Sequence, residues 1–339
     1  MGHATRSIPI INEFLYRGCE VQLASSGSAL ILLRQEYPKL KLHELVSYDV
    51  HYSKIIPLTL SLFFQIPKFL KRIREEHDQI ERIVRDEKID LMISDSRFGC
   101  WAEHIPSAFI THQINLQLPW TIRWLSPFVS YFNRQQIKKF KYCWVPDEPT
   151  DRISGKLSEA NGLNVRYMGM LSRFEKDKLV EIKYDLLVLL SGPEPQRTLL
   201  EQKLLTKLQG TLLNVLFVRG MPGDSIEMKQ TPNMIYKNHL NAKELNQVIQ
   251  ESKIVLSRSG YSTVMDLAKL GKKAIFIPTP GQTEQLYLAR QLRKRKIAYC
   301  TNVDNLDIAA AIKFSSDYTG FKGEYKNDLL SVAINEVLV

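Results

Sequence analysis

One segment decides the fold: Ser257-Arg258-Ser259-Gly260-Tyr261-Ser262-Thr263-Val264-Met265-Asp266-Leu267, which joins a short apolar run to a helical pattern. The run, Lys253–Leu256, is rich in Val, Ile and Leu, as in strands that are buried on both faces of a parallel sheet. Ser259 and Gly260 would let backbone N–H groups approach an anion at the start of the helix. Arg258 adds positive charge there, and Asp266 follows one turn into the helix. The segment therefore predicts an α/β unit with an anion-binding turn between strand and helix.

A second loop of the same kind follows at once. The run Ala274–Ile277 ends before Pro278, and the loop after it opens another helical pattern. Open α/β sheets bind ligands at the carboxyl ends of their strands, where both loops fall. Carboxylate and amide groups can make paired hydrogen bonds to a diol, so this loop suits sugar hydroxyls through Gln282, Glu284 and Gln285. The alternative interpretation is two ordinary turns with helix caps.

The alternation of apolar runs and helical patterns continues along nearly the whole chain and predicts a doubly wound α/β fold. It runs once to about Gly169 and restarts at Asp185, after a charged connection. We therefore expect an N-terminal Rossmann-like domain at 1–172, a second at 173–320, and a C-terminal helix at 321–339 that packs back on the first. The strands are predicted at Val21–Ala24, Leu91–Ser94, Ala108–Thr111, Asp185–Leu190, Leu213–Val218, Lys253–Leu256 and Ala274–Ile277. The helices are predicted at Ile66–Glu87, Gln196–Gln209, Ala242–Glu251, Thr263–Leu270 and Glu284–Arg295.

The first residues depart from this alternation. Gly2-His3-Ala4-Thr5-Arg6-Ser7 is predicted as a loop, and Ile8–Tyr16 as the helix after it. In a βαβ unit such a loop follows a strand. We therefore expect the first strand of this domain to be absent from the chain, and its neighbours in the sheet to be unpaired.

Composition restricts the partners. The 339 residues carry a formal net charge of +10, which favours anionic partners. Nucleic acid is not expected, because zinc-finger spacing, an aromatic RNA-binding signature and a basic helix ahead of heptads are all missing. The four cysteines are far apart, at Cys19, Cys100, Cys143 and Cys300, so neither a zinc site nor a disulfide scaffold is expected. With no signal peptide and no run of 18 apolar residues, the sequence predicts a cytoplasmic protein.

The motifs of the second half resemble those of GT-B glycosyltransferases of family 28, especially the bacterial members that act on an undecaprenyl-linked muramyl-peptide. The resemblance implies two Rossmann-like domains facing each other across a cleft. It implies an enzyme that transfers a sugar, with inversion, from a nucleotide-diphosphate donor, which we expect to be UDP-linked. In this family the residues matching Asp266 bind the ribose hydroxyls, and those matching Glu284 and Gln285 bind the donor sugar.

Three other segments extend the resemblance. Gly2-His3 resembles the Gly-His loop after the first strand of the family. Ser191-Gly192-Pro193 resembles the phosphate-facing glycine loop of the second domain, although Pro193 and Pro195 reduce the number of N–H groups that it donates. Gly169-Met170-Leu171-Ser172-Arg173 resembles the exit from the first domain, without its proline.

Two polar groups are candidates for the catalytic base. His3 lies in the first loop and Asp95 ends a predicted strand, as in related glycosyltransferases that pair a His with an Asp. An Asp partner fixes the imidazole tautomer and stabilises the imidazolium. Alternatively, His3 only positions a ligand, and the polar groups Thr111, His112 and Gln113 on the acceptor side offer another base. No cofactor and no metal are expected beyond the donor, because there is no Asp-x-Asp motif and helix N-termini with Arg could neutralise the leaving diphosphate.

Two stretches, Leu58–Arg74 and Pro119–Trp144, mix apolar and basic residues. Basic amphipathic helices can lie on anionic membranes, so a lipid-linked acceptor and peripheral contact with the inner face of the membrane are open interpretations. The simpler interpretation is the core and solvent faces of ordinary helices. Two other functions stay open: a nucleotide-sugar 2-epimerase of the same fold, and a nucleotide-sugar-binding protein without catalysis.

Overall fold

The structure, a computed structural model, describes residues 2–48, 58–177, 179–221, 230–323, 325 and 328–338; the side chains of residues 58–66, which include Leu60, Phe63 and Ile66 of the first apolar and basic stretch, lie outside this description. The chain divides into two compact units. The N-terminal unit comprises Met1–Leu171 with Asn327–Val339, and the C-terminal unit comprises Ser172–Lys326.

The N-terminal unit alternates helices with short parallel strands. Its elements are α1 (Gly2–Tyr16), β1 (Leu23–Ser25), α2 (Gly27–Glu36), β2 (Leu42–Glu44), α3 (Leu58–Glu87), β3 (Met92–Asp95), β4 (Ser107–Ile110), α4 (Ser126–Ile137), β5 (Tyr142–Val145), β6 (Val165–Tyr167) and, after the other unit, α10 (Asp328–Leu338). Single turns of 3₁₀ helix lie at Trp120–Leu125 and Gly155–Ser158.

The strands of this unit form two sheets. β1 pairs with β2, and β3, β4, β5 and β6 pair in that order, all in parallel. In the Rossmann strand order 3-2-1-4-5-6, the first strand lies between the second and the fourth. In this unit β1 corresponds to the second strand of that order and β3 to the fourth. Among the described strands, no pairing joins β1 to β3. The sequence predicts unpaired neighbours at this place.

A buried polar cluster connects the two sheets. Arg97, after β3, donates to the Ser26 hydroxyl after β1 at 2.9 Å and to the Val46 carbonyl after β2 at 2.7 Å. It also pairs with Glu76 of α3, which is fully buried and accepts the Gly99 N–H at 2.9 Å. Because a buried carboxylate is stable only when it is paired, this cluster holds the carboxyl ends of β1, β2 and β3 together.

The predicted loop at residues 2–7 is wrong, because α1 begins at Gly2. The residues Ala4, Ile8 and Ile11 are all buried, and their spacing of four and three places them on one face of a continuous helix. Pro9 lies inside this helix. His3 is therefore a residue of the first helical turn rather than of a loop.

The C-terminal unit is a six-stranded parallel sheet with helices between its strands. Its elements are β7 (Tyr184–Leu189), α5 (Gln196–Leu208), β8 (Val215–Val218), β9 (Met234–Lys237), α6 (Ala242–Gln250), β10 (Ser252–Ser257), α7 (Tyr261–Leu270), β11 (Lys273–Phe276), α8 (Thr283–Lys294), β12 (Tyr299–Cys300) and α9 (Ile308–Ser315). The strand order is β12-β11-β10-β7-β8-β9. This is the doubly wound order 3-2-1-4-5-6, and its direction reverses between β7 and β10.

The strands predicted from apolar runs are all found, within two residues at their ends. The predicted α/β class with Rossmann-like units is confirmed. Five strands escaped the sequence analysis: β2, β5, β6, β9 and β12. β2, β6 and β9 carry charged or polar side chains within their three or four residues, and β12 has only two residues, so none of these four presents an apolar run. β5 is apolar, but it overlaps the end of the aromatic and basic stretch Pro119–Trp144, which suggested a helix.

Candidate active site

Two of the predicted donor loops flank the point where the strand order of the C-terminal unit reverses. Ser191 and Gly192 follow β7, and Arg258 to Gly260 follow β10. Open α/β sheets bind ligands in the crevice at such a point. Gly260 immediately precedes α7, and no atom lies within 4 Å of the place where a Cβ would stand. The backbone at the start of α7 is thus open to close approach by a ligand.

The side chains of Arg258 and Ser259, which precede Gly260, are buried and donate hydrogen bonds to backbone carbonyls of neighbouring segments. Ser259 is fully buried, and its hydroxyl donates to the Gln285 carbonyl at 2.9 Å. Arg258 is 4% exposed and donates to three carbonyl oxygens, those of Ile277 and Pro278 at 3.1 Å and Gln196 at 3.2 Å. Burial lowers the pKa of Arg258 to about 10. The predicted charge of Arg258 is therefore present, but its guanidinium joins the loops after β7, β10 and β11.

Asp266 lies on α7, half-buried, in the second turn. Its Oδ1 accepts a hydrogen bond from the Ser172 hydroxyl at 2.6 Å. Burial raises the pKa of Asp266 to about 7, although the Ser172 hydroxyl and the Arg173 guanidinium lower it. The carboxyl group thus changes charge near neutral pH, which matters for any hydroxyl ligand that it accepts from.

The loop before α8 is organised by its own amides. Gln285 accepts the Thr279 N–H at 2.8 Å and donates to the Gln282 side-chain oxygen at 2.5 Å. Glu284 lies in the first turn of α8. The three predicted sugar-binding residues are therefore adjacent, and two of them hold each other.

The loop after β7 is exposed, and Gly192 has a φ of 111°, which favours glycine. The start of α5 is covered by the carboxylate of Glu194, which accepts the Thr198 N–H at 3.2 Å and the Arg197 Nε–H at 2.5 Å. With Pro193 and Pro195 lacking N–H groups, this loop offers a ligand fewer donors than the start of α7 does.

The N-terminal unit brings together the predicted pair His3 and Asp95. The His3 Nδ1 lies 3.0 Å from Asp95 Oδ1. His3 lies in the first turn of α1 and is 60% exposed, whereas Asp95 is the last residue of β3 and is 12% exposed. The structure therefore brings the two predicted residues into contact, with His3 on a helix where the sequence predicted a loop.

Two further residues of α1 contact the same carboxylate, and the sequence analysis missed both. Arg6 donates from Nε to Asp95 Oδ2 at 2.7 Å and from Nη2 to Asp95 Oδ1. Ser7 donates to Oδ2 at 3.2 Å. Burial would raise the pKa of Asp95, but the charge of Arg6 and the bond to His3 outweigh it and hold that pKa well below its usual range. The signal was the spacing of residues 3, 6 and 7, which lie on one face of a helix.

The acceptor-side group joins this cluster through Arg6. The His112 Nδ1 lies 3.2 Å from Arg6 Nη1, and both residues are almost completely buried. Thr111 is buried and accepts the Gln113 N–H at 3.0 Å. The structure thus places His112 beside the His3 and Asp95 pair.

An aromatic surface lies on the N-terminal unit, formed by Trp120, Trp124, Phe128 and Tyr131. These side chains are 87%, 70%, 71% and 60% exposed. The buried residues of α4 include the polar Ser130 and Asn133, so the large aromatic residues face solvent. The interpretation of Pro119–Trp144 as a helix with an apolar core face is therefore wrong for α4.

Two general findings bear on the predicted partners. Within the described ranges, no helix is long and apolar enough to cross a membrane. Among the same residues, no group of three or more His, Cys, Asp or Glu side chains is arranged to hold a metal ion.

Comparison with known proteins identifies the family of the C-terminal unit. Residues 197–313 match the glycosyltransferase family 28 C-terminal domain. A curated relative, the UDP-N-acetylglucosamine–N-acetylmuramyl-(pentapeptide) pyrophosphoryl-undecaprenol N-acetylglucosamine transferase of Rickettsia akari (strain Hartford), is 31% identical over 114 residues. That match covers 32% of this chain and 29% of the relative.

Solved structures match over nearly the whole chain. The glycosyltransferase SnogD from Streptomyces nogalater aligns with a TM-score of 0.65 at 11% identity, covering 100% of this chain and 97% of that one. Acinetobacter baumannii MurG aligns with a TM-score of 0.58 at 12% identity, covering 99% and 96%. At these identities the likeness shows the fold. The C-terminal unit thus carries a family 28 domain and the whole chain has the GT-B fold, which confirms the resemblance at this level.

Proposed function

From the family 28-like architecture, we propose that the protein is an inverting glycosyltransferase that moves a sugar from a UDP-linked donor to a lipid-linked acceptor, without a metal ion. The observation that carries the donor half is the open start of α7 at Gly260, beside the point where the strand order reverses. It lies within the residues that match the family 28 C-terminal domain.

The start of α7 has the chemistry for a diphosphate. The first N–H groups of a helix lack partners within the helix, and the helix dipole adds positive potential there. Gly260 leaves room for phosphate oxygens to reach them. These groups can stabilise the charge that develops on the leaving diphosphate, which is why the proposal needs no metal. Asp266, further along α7, accepts the ribose hydroxyls.

The chemistry of transfer is assigned to His3 and Asp95. Because Asp95 is held ionised, its carboxylate accepts from His3 Nδ1–H, and His3 Nε2 carries the lone pair. His3 Nε2 removes the proton of the acceptor hydroxyl while the hydroxyl oxygen attacks the anomeric carbon of the donor sugar. The bond to the diphosphate breaks at the same carbon, and the diphosphate leaves with the electron pair.

The lipid half of the proposal is supported by the aromatic surface. Trp and Tyr side chains are enriched where proteins meet the membrane interface. Arg123 is exposed between Trp120 and Trp124, and cationic side chains attract anionic lipids. The Rickettsia relative is named for transfer to a pyrophosphoryl-undecaprenol acceptor, a lipid. The proposal therefore places the protein at the cytoplasmic face of a membrane.

The donor test is a binding titration of the full chain with UDP and UDP-sugars, followed by analysis of the products. Asp266→Ala should weaken UDP binding by about 1–3 kcal/mol, the usual loss for a hydrogen bond to a charged group. With a lipid-linked acceptor, a transferase releases UDP and a glycosylated lipid. A new sugar nucleotide formed without acceptor would instead identify a 2-epimerase, and binding without any product would identify a binding protein.

The base is tested by steady-state kinetics. His3→Ala should lower turnover about 10²–10⁴-fold, the usual contribution of general-base catalysis. Asp95→Asn should lower turnover as well, since it no longer stabilises the imidazolium. The exposed His104 provides a matched control, because His104→Ala should leave turnover unchanged. Turnover of His3→Ala within about threefold of the unaltered protein, far short of the general-base range, would show that the base lies elsewhere.

The membrane contact is tested with vesicles that contain anionic phospholipid. Replacing Trp120, Trp124 and Phe128 together by Ser should abolish sedimentation with these vesicles. The control replaces Leu179 and Leu212, which are 96% and 90% exposed on the C-terminal unit, by Ser. If the control binds as weakly as the aromatic variant, or if neither change reduces binding, the aromatic surface is not the contact.

A further inference from the structure

Arg6 connects the two histidines of the N-terminal unit. It is 2% exposed, and it contacts both oxygens of Asp95 and the Ser96 hydroxyl, the latter at 3.0 Å. Its remaining terminal nitrogen lies 3.2 Å from His112 Nδ1. Among the described residues, the charged and titratable groups that contact one another here are His3 and Arg6 from α1, Asp95 from β3, and His112 after β4.

The contact with Arg6 decides the tautomer of His112. A guanidinium can only donate hydrogen bonds, so His112 Nδ1 must be the accepting nitrogen and the ring proton must lie on Nε2. A proton on His112 Nδ1 would point an N–H donor at the N–H donor of Arg6. It would also bury a second positive charge beside Arg6. His112 therefore stays neutral. Its Nε2 lies 3.5 Å from the Gln113 amide, which in its other orientation turns an oxygen toward the Nε2–H.

The contact with Asp95 decides the opposite tautomer for His3. An ionised carboxylate only accepts, so the His3 proton lies on Nδ1 and the lone pair on Nε2. Arg6 holds this carboxylate through two parallel N–H donors, which fixes the direction of its oxygens. One guanidinium thus sets the orientation of the partner of His3 and the protonation of His112.

We propose that Arg6 is a positioning residue that assigns opposite proton roles to the two histidines: His3 accepts a proton at Nε2, and a permanently neutral His112 donates a hydrogen bond from Nε2. The catalytic meaning of these roles rests on the proposed function, but the tautomers themselves do not. It follows that His112 cannot replace His3 as the base.

The test is the ring-nitrogen NMR spectrum of the ¹⁵N-labelled full chain, with signals assigned through His3→Gln and His112→Gln. His112 should show a protonated Nε2 and a bare Nδ1, and it should stay neutral as the pH is lowered while circular dichroism reports a folded chain. The exposed His104 provides the reference signals of a solvent-exposed imidazole in the same spectrum. A proton on His112 Nδ1, or the appearance of imidazolium signals for His112 while the chain stays folded, would overturn the proposal without any variant.

A variant series separates positioning from simple structural support. In Arg6→Met, His112 should begin to titrate and turnover should fall about 10²-fold, a typical loss when a reacting group is misplaced. Arg6→Lys, which keeps the charge, should restore the neutrality of His112 but not the paired hold on Asp95. The matched control is Arg72→Met on α3, which removes an arginine bonded to Glu75 at 2.6 Å and should leave the His112 spectrum unchanged.

The outcome is distinguishable from that of the proposed function. UDP binding should be the same in Arg6→Met and the unaltered chain, because the proposed donor residues belong to the other unit. Correct tautomers without sugar transfer would refute the function and leave the assignment of Arg6 intact. Transfer with a titrating His112 would refute the assignment and leave the function intact.

Discussion

Asp266 combines burial with the proposed contact to the ribose, and together these predict that UDP binding depends on pH. Its pKa is raised to about 7, and a ribose hydroxyl donates best to the ionised carboxylate. Affinity should therefore be full above pH 7 and should fall as the carboxyl group is protonated, by roughly tenfold between pH 8 and pH 6. Calorimetric titration with UDP across this range measures the effect.

Asp266→Asn is the control for that experiment, because the diphosphate of the ligand also changes its ionisation with pH. The variant should bind UDP weakly, with only the dependence that comes from the ligand. Ser172→Ala removes a hydrogen bond that lowers the pKa of Asp266, so its transition should move to higher pH. If Asp266→Asn keeps the pH dependence of the unaltered chain, Asp266 does not contact the ligand.

Arg258 should contribute more to the free energy of unfolding than its place in a predicted binding loop suggests. Arg258→Met leaves three carbonyl oxygens without their donor, in a buried place. Hydrogen bonds from a charged group contribute about 1.5–3 kcal/mol each, and the losses at one site are not additive. We expect a loss of about 3 kcal/mol in the free energy of unfolding, measured by denaturant titration.

The exposed Arg290 of α8 provides the comparison for Arg258. Arg290→Met should change the free energy of unfolding by less than about 0.5 kcal/mol, as is usual for surface substitutions. Equal effects of the two substitutions would mean that the carbonyl contacts of Arg258 do not stabilise the loops.

At the scale of residues, candidate site residues were predictable where they follow strands. The residues that reach the same site from one face of helix α1 were not predicted. His3 and Asp95 were predicted because strand ends converge at one edge of a sheet. Arg6 and Ser7 were missed because residues 2–7 were taken for a loop, so their shared helical face was not considered. The burial of Arg258 could not be predicted, since its three acceptors are backbone carbonyls from two other loops and carry no side-chain signal.

At the scale of elements, the end of α7 depends on glycine. Gly271 has a φ of 66°, and its Cβ position would lie 3.2 Å from the Gly323 Cα. Gly271→Ala should therefore combine the cost of a left-handed alanine, about 1 kcal/mol, with a contact that the backbone of Gly323 must relieve. We expect a total loss of about 2–3 kcal/mol in the free energy of unfolding.

Gly210, which follows α5, separates these two costs. Its φ is 71°, but nothing lies within 4 Å of its Cβ position. Gly210→Ala should lose only the conformational part, about 1 kcal/mol. Chemical denaturation of both variants measures the difference, and equal losses would show that the approach of Gly271 to Gly323 is not tight.

The central strands of the C-terminal sheet were predicted because they are rich in Val, Leu, Ile and Phe. The strands β7, β8, β10 and β11 form the centre of the sheet and bury most of their residues, three of six in β7, so their composition identifies them. β12 has two residues, and β9 begins after residues 222–229, which lie outside the description. Edge strands bury only part of their side chains, so their sequences need not be apolar.

At the scale of the whole molecule, the last helix belongs to the first unit. Arg17 of α1 donates to the Ser331 hydroxyl of α10 at 2.6 Å, and Arg166 of β6 pairs with Glu336 at 2.5 Å. α10 also buries Ile334 and Val337. The chain therefore completes its N-terminal unit only after the C-terminal unit has been made, and the stability of the two units should depend on different parts of the sequence.

Removal of residues 327–339 tests this division. The deletion exposes the apolar surface that Ile334 and Val337 cover, which amounts to about 3–6 kcal/mol for two buried aliphatic side chains. A unit of this size should then melt roughly 10 °C lower. A ligand stabilises only the unit that binds it, so the proposed UDP site predicts that calorimetry with UDP identifies the transition of the C-terminal unit, which should not move on deletion. Val332→Ser, on the exposed side of α10 at 51% exposure, should change neither transition. Since the units have separate cores, a deletion that shifts the UDP-stabilised transition as much as the other would contradict their independence.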